Sequence, residues 1–105
     1  MKKPIHPNIN DINLTSVLYA LSDPTRLDIV VKLAKNSDLS CGSLALSVPK
    51  STLSHHLKVL RESGIINVRI EGTQHFLSLR NNDLDIRFSG LLSSILDAAS
   101  YSNLT

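Results

Sequence analysis

Pro49 constrains this chain more than any other residue. Proline has no N–H to donate and cannot continue a helix from behind, so Val48-Pro49-Lys50 reads as a tight connection. Apolar residues on both sides of it have helical spacing. Before it, Leu39 to Leu46 reads as a short helix, with Ser40 as N-cap and Leu44, Ala45 and Leu46 inside. After it, Leu53, Leu57 and Leu60 fall on one side of a helix from about Ser51 to Ser63. Gly64 fits the position just past that helix, where the left-handed conformation favours glycine.

The rest of the chain supplies partners for these two segments. Leu14, Val17, Leu18 and Leu21 make one apolar helical stripe, with Asn10 or Asp11 as its cap. Asp23 suits an N-cap and Pro24 the first position of a second helix, whose stripe is Leu27, Val30, Val31 and Ala34. Beyond Gly64 come two β-rich runs, 65–70 and 74–79, around Glu71-Gly72-Thr73, the pattern of a hairpin. A last helix, Asp83 to about Ser100, puts Leu84, Phe88, Leu91, Leu92, Ile95 and Ala99 on one face. Residues 1–10 hold two prolines and two asparagines without periodicity, and read as a flexible arm. The expected organisation is an arm over 1–10, one domain over 11–100 and a tail over 101–105, in a chain of 105 residues.

A short helix, a tight turn and a second amphipathic helix form a helix-turn-helix. A hairpin directly after it makes the unit a winged helix. The fold expected is mainly α with a small β-hairpin: helix, helix, helix, helix, hairpin, helix. In such a unit the second helix enters the DNA major groove, led by its N-terminal residues. Its outward stripe is Ser51, Ser54, His55, Lys58 and Glu62, flanked by Thr52 and preceded by Lys50. Small hydroxyl residues allow close approach to bases and phosphates, and the helix N-terminus offers free N–H groups to phosphate. Arg61 follows on the same helix, and Arg69, Gln74 and His75 lie near the hairpin tip. Charge agrees with this reading. The net charge is only +2, but 50–80 holds five basic and two acidic residues. The alternative for so modest an excess is a solvated basic face.

Three segments resemble the ArsR/SmtB winged-helix repressors: Leu21-Ser22-Asp23-Pro24-Thr25-Arg26-Leu27, the run Ser51 to Ile66, and Glu71-Gly72 in the wing. They agree in order and spacing from about Leu14 to Leu96. The resemblance implies a homodimer that sits on double-stranded operator DNA and blocks transcription until an inducer binds. It places the dimer interface on the first and last helices, with Leu14, Val17, Leu18, Tyr19, Leu91, Leu92, Ile95 and Leu96 as candidates. The division of these residues between core and interface stays open. Many members bind metal through a Cys-x-Cys stretch, where this chain has Leu39-Ser40-Cys41-Gly42-Ser43 with one thiol. Others use Asp and His in the last helix, which here offers Asp83, Asp85 and Asp97 and no histidine. Where many members carry an arginine after the wing glycine, this chain has Thr73. No metal site, no metal inducer and no cofactor is therefore expected, and the inducer is unassigned.

Other functions are weaker. Ser54 beside His55 or His56 does not make a nucleophile and base, because neighbours on a helix do not hold the hydroxyl and imidazole in line. His55 and His56 point about 100° apart and cannot chelate together; His56, beside the leucines, reads as hydrogen-bonded and partly buried. No enzyme is expected. A winged-helix protein-interaction module, or a redox-responsive repressor acting through Cys41, are the alternatives. Cys41, the only cysteine, permits no internal disulfide. No apolar run approaches a membrane span, and the polar start at Met1-Lys2-Lys3 lacks a secretory apolar region, so a cytoplasmic protein is expected. Aromatics are scarce, so the core must be aliphatic.

Overall fold

The structure, a computed structural model, describes residues 4–102. Among them lie α1 (Leu14–Leu21), α2 (Pro24–Lys35), β1 (Leu39–Ser40), α3 (Lys50–Glu62), β2 (Ile66–Glu71), β3 (Gln74–Leu79), α4 (Asn81–Arg87) and α5 (Leu91–Ser102). The strands form one antiparallel sheet in the order β1-β3-β2. The expected winged helix-turn-helix is the fold observed.

Several boundaries follow from local chemistry. Asp23 caps α2 through its Oδ2, which accepts the Arg26 N–H at 3.0 Å, and Pro24 opens the helix. That backbone hydrogen bond is the main cause holding the Asp23 carboxyl below its ordinary pKa. Helix α3 ends in a Schellman motif: Gly64 N–H donates to Arg61 O at 3.1 Å and Ile65 N–H to Leu60 O at 3.0 Å, with Gly64 at φ +88°. In the hairpin Glu71 pairs with Gln74, leaving Gly72-Thr73 as a two-residue turn with Gly72 at φ +62°.

Ile12, Val17, Ala20, Ile29, Val30, Leu33, Leu44, Leu60, Ile65, Ile66, Leu77 and Leu84 form the aliphatic core. It joins α1, α2 and α3 to the base of the sheet.

The structure corrects four expectations about the elements. The cap of α1 is Asn13, whose side chain accepts the Ser16 N–H at 3.0 Å, rather than Asn10 or Asp11, which belong to a short 3-10 turn. The buried stripe of α2 is Arg26, Ile29, Val30 and Leu33, one position before the one expected, because Arg26 turns inward. The helix expected over Leu39 to Leu46 is the strand β1 followed by a 3-10 turn, Cys41–Leu44, ended by Ala45 at φ +53°. Leu39 and Ser40 pair with Leu77 and Phe76 of β3, a ladder that a helix could not make. The single last helix is two, α4 and α5, broken at Gly90 with φ +78°.

The arm makes contacts that periodicity did not suggest. Where the structure describes it, it is tied down: Val68 N–H of β2 donates to His6 Nε2 at 2.9 Å, and Arg80 donates to Pro7 O at 2.9 Å. Edge-strand N–H groups need partners, and the arm supplies one to β2. Of the expected tail, residues 101 and 102 close α5 and 103–105 lie outside the described residues, as do residues 1–3.

Candidate nucleic-acid interface

Helix α3 is presented to solvent by what its other side packs on. Leu60 is fully buried, and Leu53, Leu57 and Val59 are partly buried against the core. This leaves Lys50, Ser51, Thr52, Ser54, His55 and Lys58 exposed along the opposite side. Among the described residues neither Lys50 nor Lys58 pairs with a carboxylate, so both charges are free for an anion. At the helix start Pro49 is the N-cap and offers no side-chain hydrogen bond. The first-turn N–H groups are therefore open.

The wing stands beside this face. Gln74 and His75 are exposed at its tip. Between wing and helix runs a groove of about 380 Å³, lined by Lys50, Leu53, Ser54 and Leu57 on one wall and Thr73, Gln74 and His75 on the other, with Ser40, Cys41 and Gly42 at the floor. The structure thus brings together Lys50, Ser54, Gln74 and His75.

Arg69 and Arg61 stand apart from that group. Arg69 is held by Asp38 through two hydrogen bonds, 3.0 and 2.9 Å, and by Glu71 at 3.3 Å, while its guanidinium carbon lies 5.0 Å from the Phe76 ring centroid. Its charge is already matched, so it is a brace midway along the wing rather than a free cation at the tip. Arg61 is largely covered, lies 3.8 Å from Glu62, and has its Nε buried without a hydrogen-bond partner. It acts electrostatically on His6 of the arm.

His56 is partly buried. Its Nδ1 is 3.2 Å from Arg26 Nη1 and 3.9 Å from Asp23 Oδ2. Sequence reasoning missed Arg26, Asp38 and His6 as organising residues. Each acts on a residue at least 30 positions away, which periodicity does not register.

Cys41 is half-buried, and burial pushes its thiol pKa up. A 3-10 turn of four residues replaces the helix that would have favoured a thiolate. Among the described residues no three His, Cys, Asp or Glu side chains converge at metal-binding spacing. No helix among them is long and apolar enough to cross a membrane.

Of the residues expected at a dimer interface, Leu14, Leu18 and Tyr19 are 44%, 45% and 62% exposed. Leu91, Leu92, Ile95 and Leu96 are half-buried against the core. Val17, at 2% exposure, is a core residue of its own chain and is not available to a partner.

Comparison with known proteins agrees with this geometry. The family model described as "Bacterial regulatory protein, arsR family" matches residues 23–68, from the α2 cap into β2. The uncharacterised HTH-type transcriptional regulator YceK of Bacillus subtilis is 33% identical over 82 residues, covering 75% of this chain and 82% of that protein. The transcriptional repressor SdpR of the same organism is 31% identical, covering 78% of this chain and 92% of its own length. The solved structure of HlyU from Vibrio cholerae superposes with a TM-score of 0.59 at 33% identity, over 74% of this chain and 88% of that one. Fold, matched segment and relatives converge: the chain belongs to the arsR family of bacterial regulatory proteins and is a DNA-binding transcriptional regulator, not an enzyme.

Proposed function

We propose that the chain is a homodimeric, sequence-specific repressor that places α3 in the major groove of an operator with the wing, 66–79, alongside. The observation that carries this reading is the exposed stripe Lys50, Ser51, Thr52, Ser54, His55 and Lys58, with neither lysine paired to a carboxylate among the described residues. Gln74 and His75 extend the same surface from the wing. Arg69 is left out of the contact set because Asp38 and Glu71 already engage it, and Arg61 because its side chain is largely covered. The domain of 11–100 then carries both DNA binding and dimerisation. The exposed side of α1, Leu14 and Leu18, together with α5, is the surface for the second copy. Repression is favoured because SdpR, which aligns over nearly its whole length, is described as a repressor.

The test is selection of duplexes from a random-sequence pool, followed by titration of the enriched duplex. Two half-sites about one helical turn apart, roughly 34 Å, or a multiple of it, are expected. Lys58→Ala should weaken binding on all sequences and lower the salt slope by about one. Ser54→Ala and His55→Ala should change the preferred sequence more than the general affinity. Failure to enrich any sequence would overturn specificity. Unchanged binding in all three variants would overturn the assignment of α3.

A further inference from the structure

We infer that Arg26 is a positioning residue that sets the DNA-reading helix against α1 by clamping His56; this rests on the reading of α3 as the DNA-contacting helix. Arg26 is 6% exposed, in a core otherwise almost wholly aliphatic. A buried guanidinium is tolerated only when its N–H groups find acceptors. Here Nε donates to Ala20 O at 2.7 Å, and Nη2 reaches Tyr19 O at 3.5 Å. Both are carbonyls of the last turn of α1; Tyr19 O already accepts from the Ser22 N–H at 3.1 Å and the Ser22 hydroxyl at 2.6 Å, so Arg26 is the partner that Ala20 O needs. The guanidinium carbon also lies 5.3 Å from the Tyr19 ring centroid. The remaining arm of the fork, Nη1, points to α3 and meets His56 Nδ1 at 3.2 Å.

One planar group therefore spans three helices. It is rooted in α2, it holds the end of α1, and it holds the side chain that precedes Leu57 on α3. Planarity matters: the directions of Nε and Nη1 are fixed relative to each other, so the α1 carbonyls and the imidazole cannot shift independently. The His55 ring, on the exposed stripe, lies beside His56 with centroids 5.9 Å apart. A guanidinium nitrogen can only donate. Nδ1 of His56 must then carry the lone pair, with the ring proton on Nε2. Asp23 Oδ2, at 3.9 Å, is too far to accept from Nδ1.

Because α1 also carries the exposed Leu14 and Leu18, the clamp links the proposed dimer surface to the reading helix. A rotation of α3 by even a fraction of a turn misplaces base contacts while leaving phosphate attraction nearly intact. Loss of the clamp should thus damage specific binding more than nonspecific binding.

The experiment compares the full-length parent, His56→Leu, His56→Asn and Arg26→Lys on the duplex enriched from the random pool and on poly(dI-dC). The Asn carbonyl offers an acceptor where Nδ1 stood; Leu offers none. We expect His56→Leu and Arg26→Lys to lose about tenfold or more on the enriched duplex and less than about threefold on poly(dI-dC), with His56→Asn near the parent. Long-range ¹H–¹⁵N spectra of the parent should show His56 unprotonated at Nδ1, a result that stands even if His56→Leu does not fold. Equal losses on both DNAs, no recovery with Asn, or a proton on Nδ1 would overturn the clamp. Loss of sequence preference in the parent, or its indifference to Lys58→Ala, would instead overturn the reading of α3.

Discussion

Gly64 and Ile12 meet so closely that no side chain fits between them: a Cβ on Gly64 would lie 2.5 Å from Ile12 Cγ1 and 2.7 Å from its Cδ1. The glycine both ends α3 at φ +88° and receives the fully buried side chain that leads into α1. Conformation and packing thus select the same residue for independent reasons. We expect Gly64→Ala to lose about 2–4 kcal/mol, combining the left-handed backbone cost with displacement of Ile12. Urea unfolding followed by circular dichroism measures it, and a loss under about 1 kcal/mol would contradict the close packing.

His6 makes the arm's attachment depend on pH. Burial is the main cause lowering its pKa from the ordinary 6.5, and the nearby Arg61 and Arg80 charges add to it. The folded state therefore favours the neutral ring, which accepts the Val68 N–H. The associated stability is fully present above about pH 6.5 and is lost as pH falls below that value toward the lower folded-state pKa. Amide exchange at Val68 should accelerate between pH 7.5 and 5.5 beyond the change of the other β2 amides, after correction for intrinsic rates. His6→Ala should show fast Val68 exchange throughout. A Val68 amide equally protected at both pH values would contradict this.

Asp38 holds Arg69 from the turn between α2 and β1, at φ +63°. Asn tolerates that backbone conformation but carries no charge. Asp38→Asn should free Arg69 to face anions, so the variant should elute from heparin at higher salt than the parent. Unchanged elution would mean that Glu71 alone neutralises Arg69.

Leu18, half-exposed on α1, offers a clean test of the proposed second copy. A polar group there costs the monomer little, since the side chain already meets water. Leu18→Asp should convert a dimer to a folded monomer, read by light scattering at micromolar concentration together with an unchanged far-UV spectrum. Dimers persisting in the variant would move the interface away from this face of α1.

The features legible in the sequence are those with short-range causes. The α2 start needs only Asp23, Pro24 and the N–H two residues on. The hairpin needs alternation and a glycine turn, and the end of α3 needs Gly64. The exposed stripe of α3 was readable because opposite faces of one helix report each other: leucines toward the core leave Ser51, Ser54, His55 and Lys58 outside.

What the tertiary structure decided depends on partners far along the chain. Leu39 and Ser40 carry helical spacing with the residues after them, yet they form a strand because β3 offers a free edge to Leu39 and Ser40. Arg26 looks like a solvated residue at the start of α2, and it is buried where Ala20 O at the end of α1 and His56 Nδ1 on α3 accept its N–H groups. The arm reads as unstructured because it has no periodicity of its own, yet His6 and Pro7 are held by Val68 and Arg80. Periodicity and capping are properties of neighbouring residues, so the sequence by itself determined α1, α2, α3, the wing and the polar face of α3. Hydrogen-bond acceptors left over by one element and filled by another exist only once the elements meet, and only the tertiary structure could decide those.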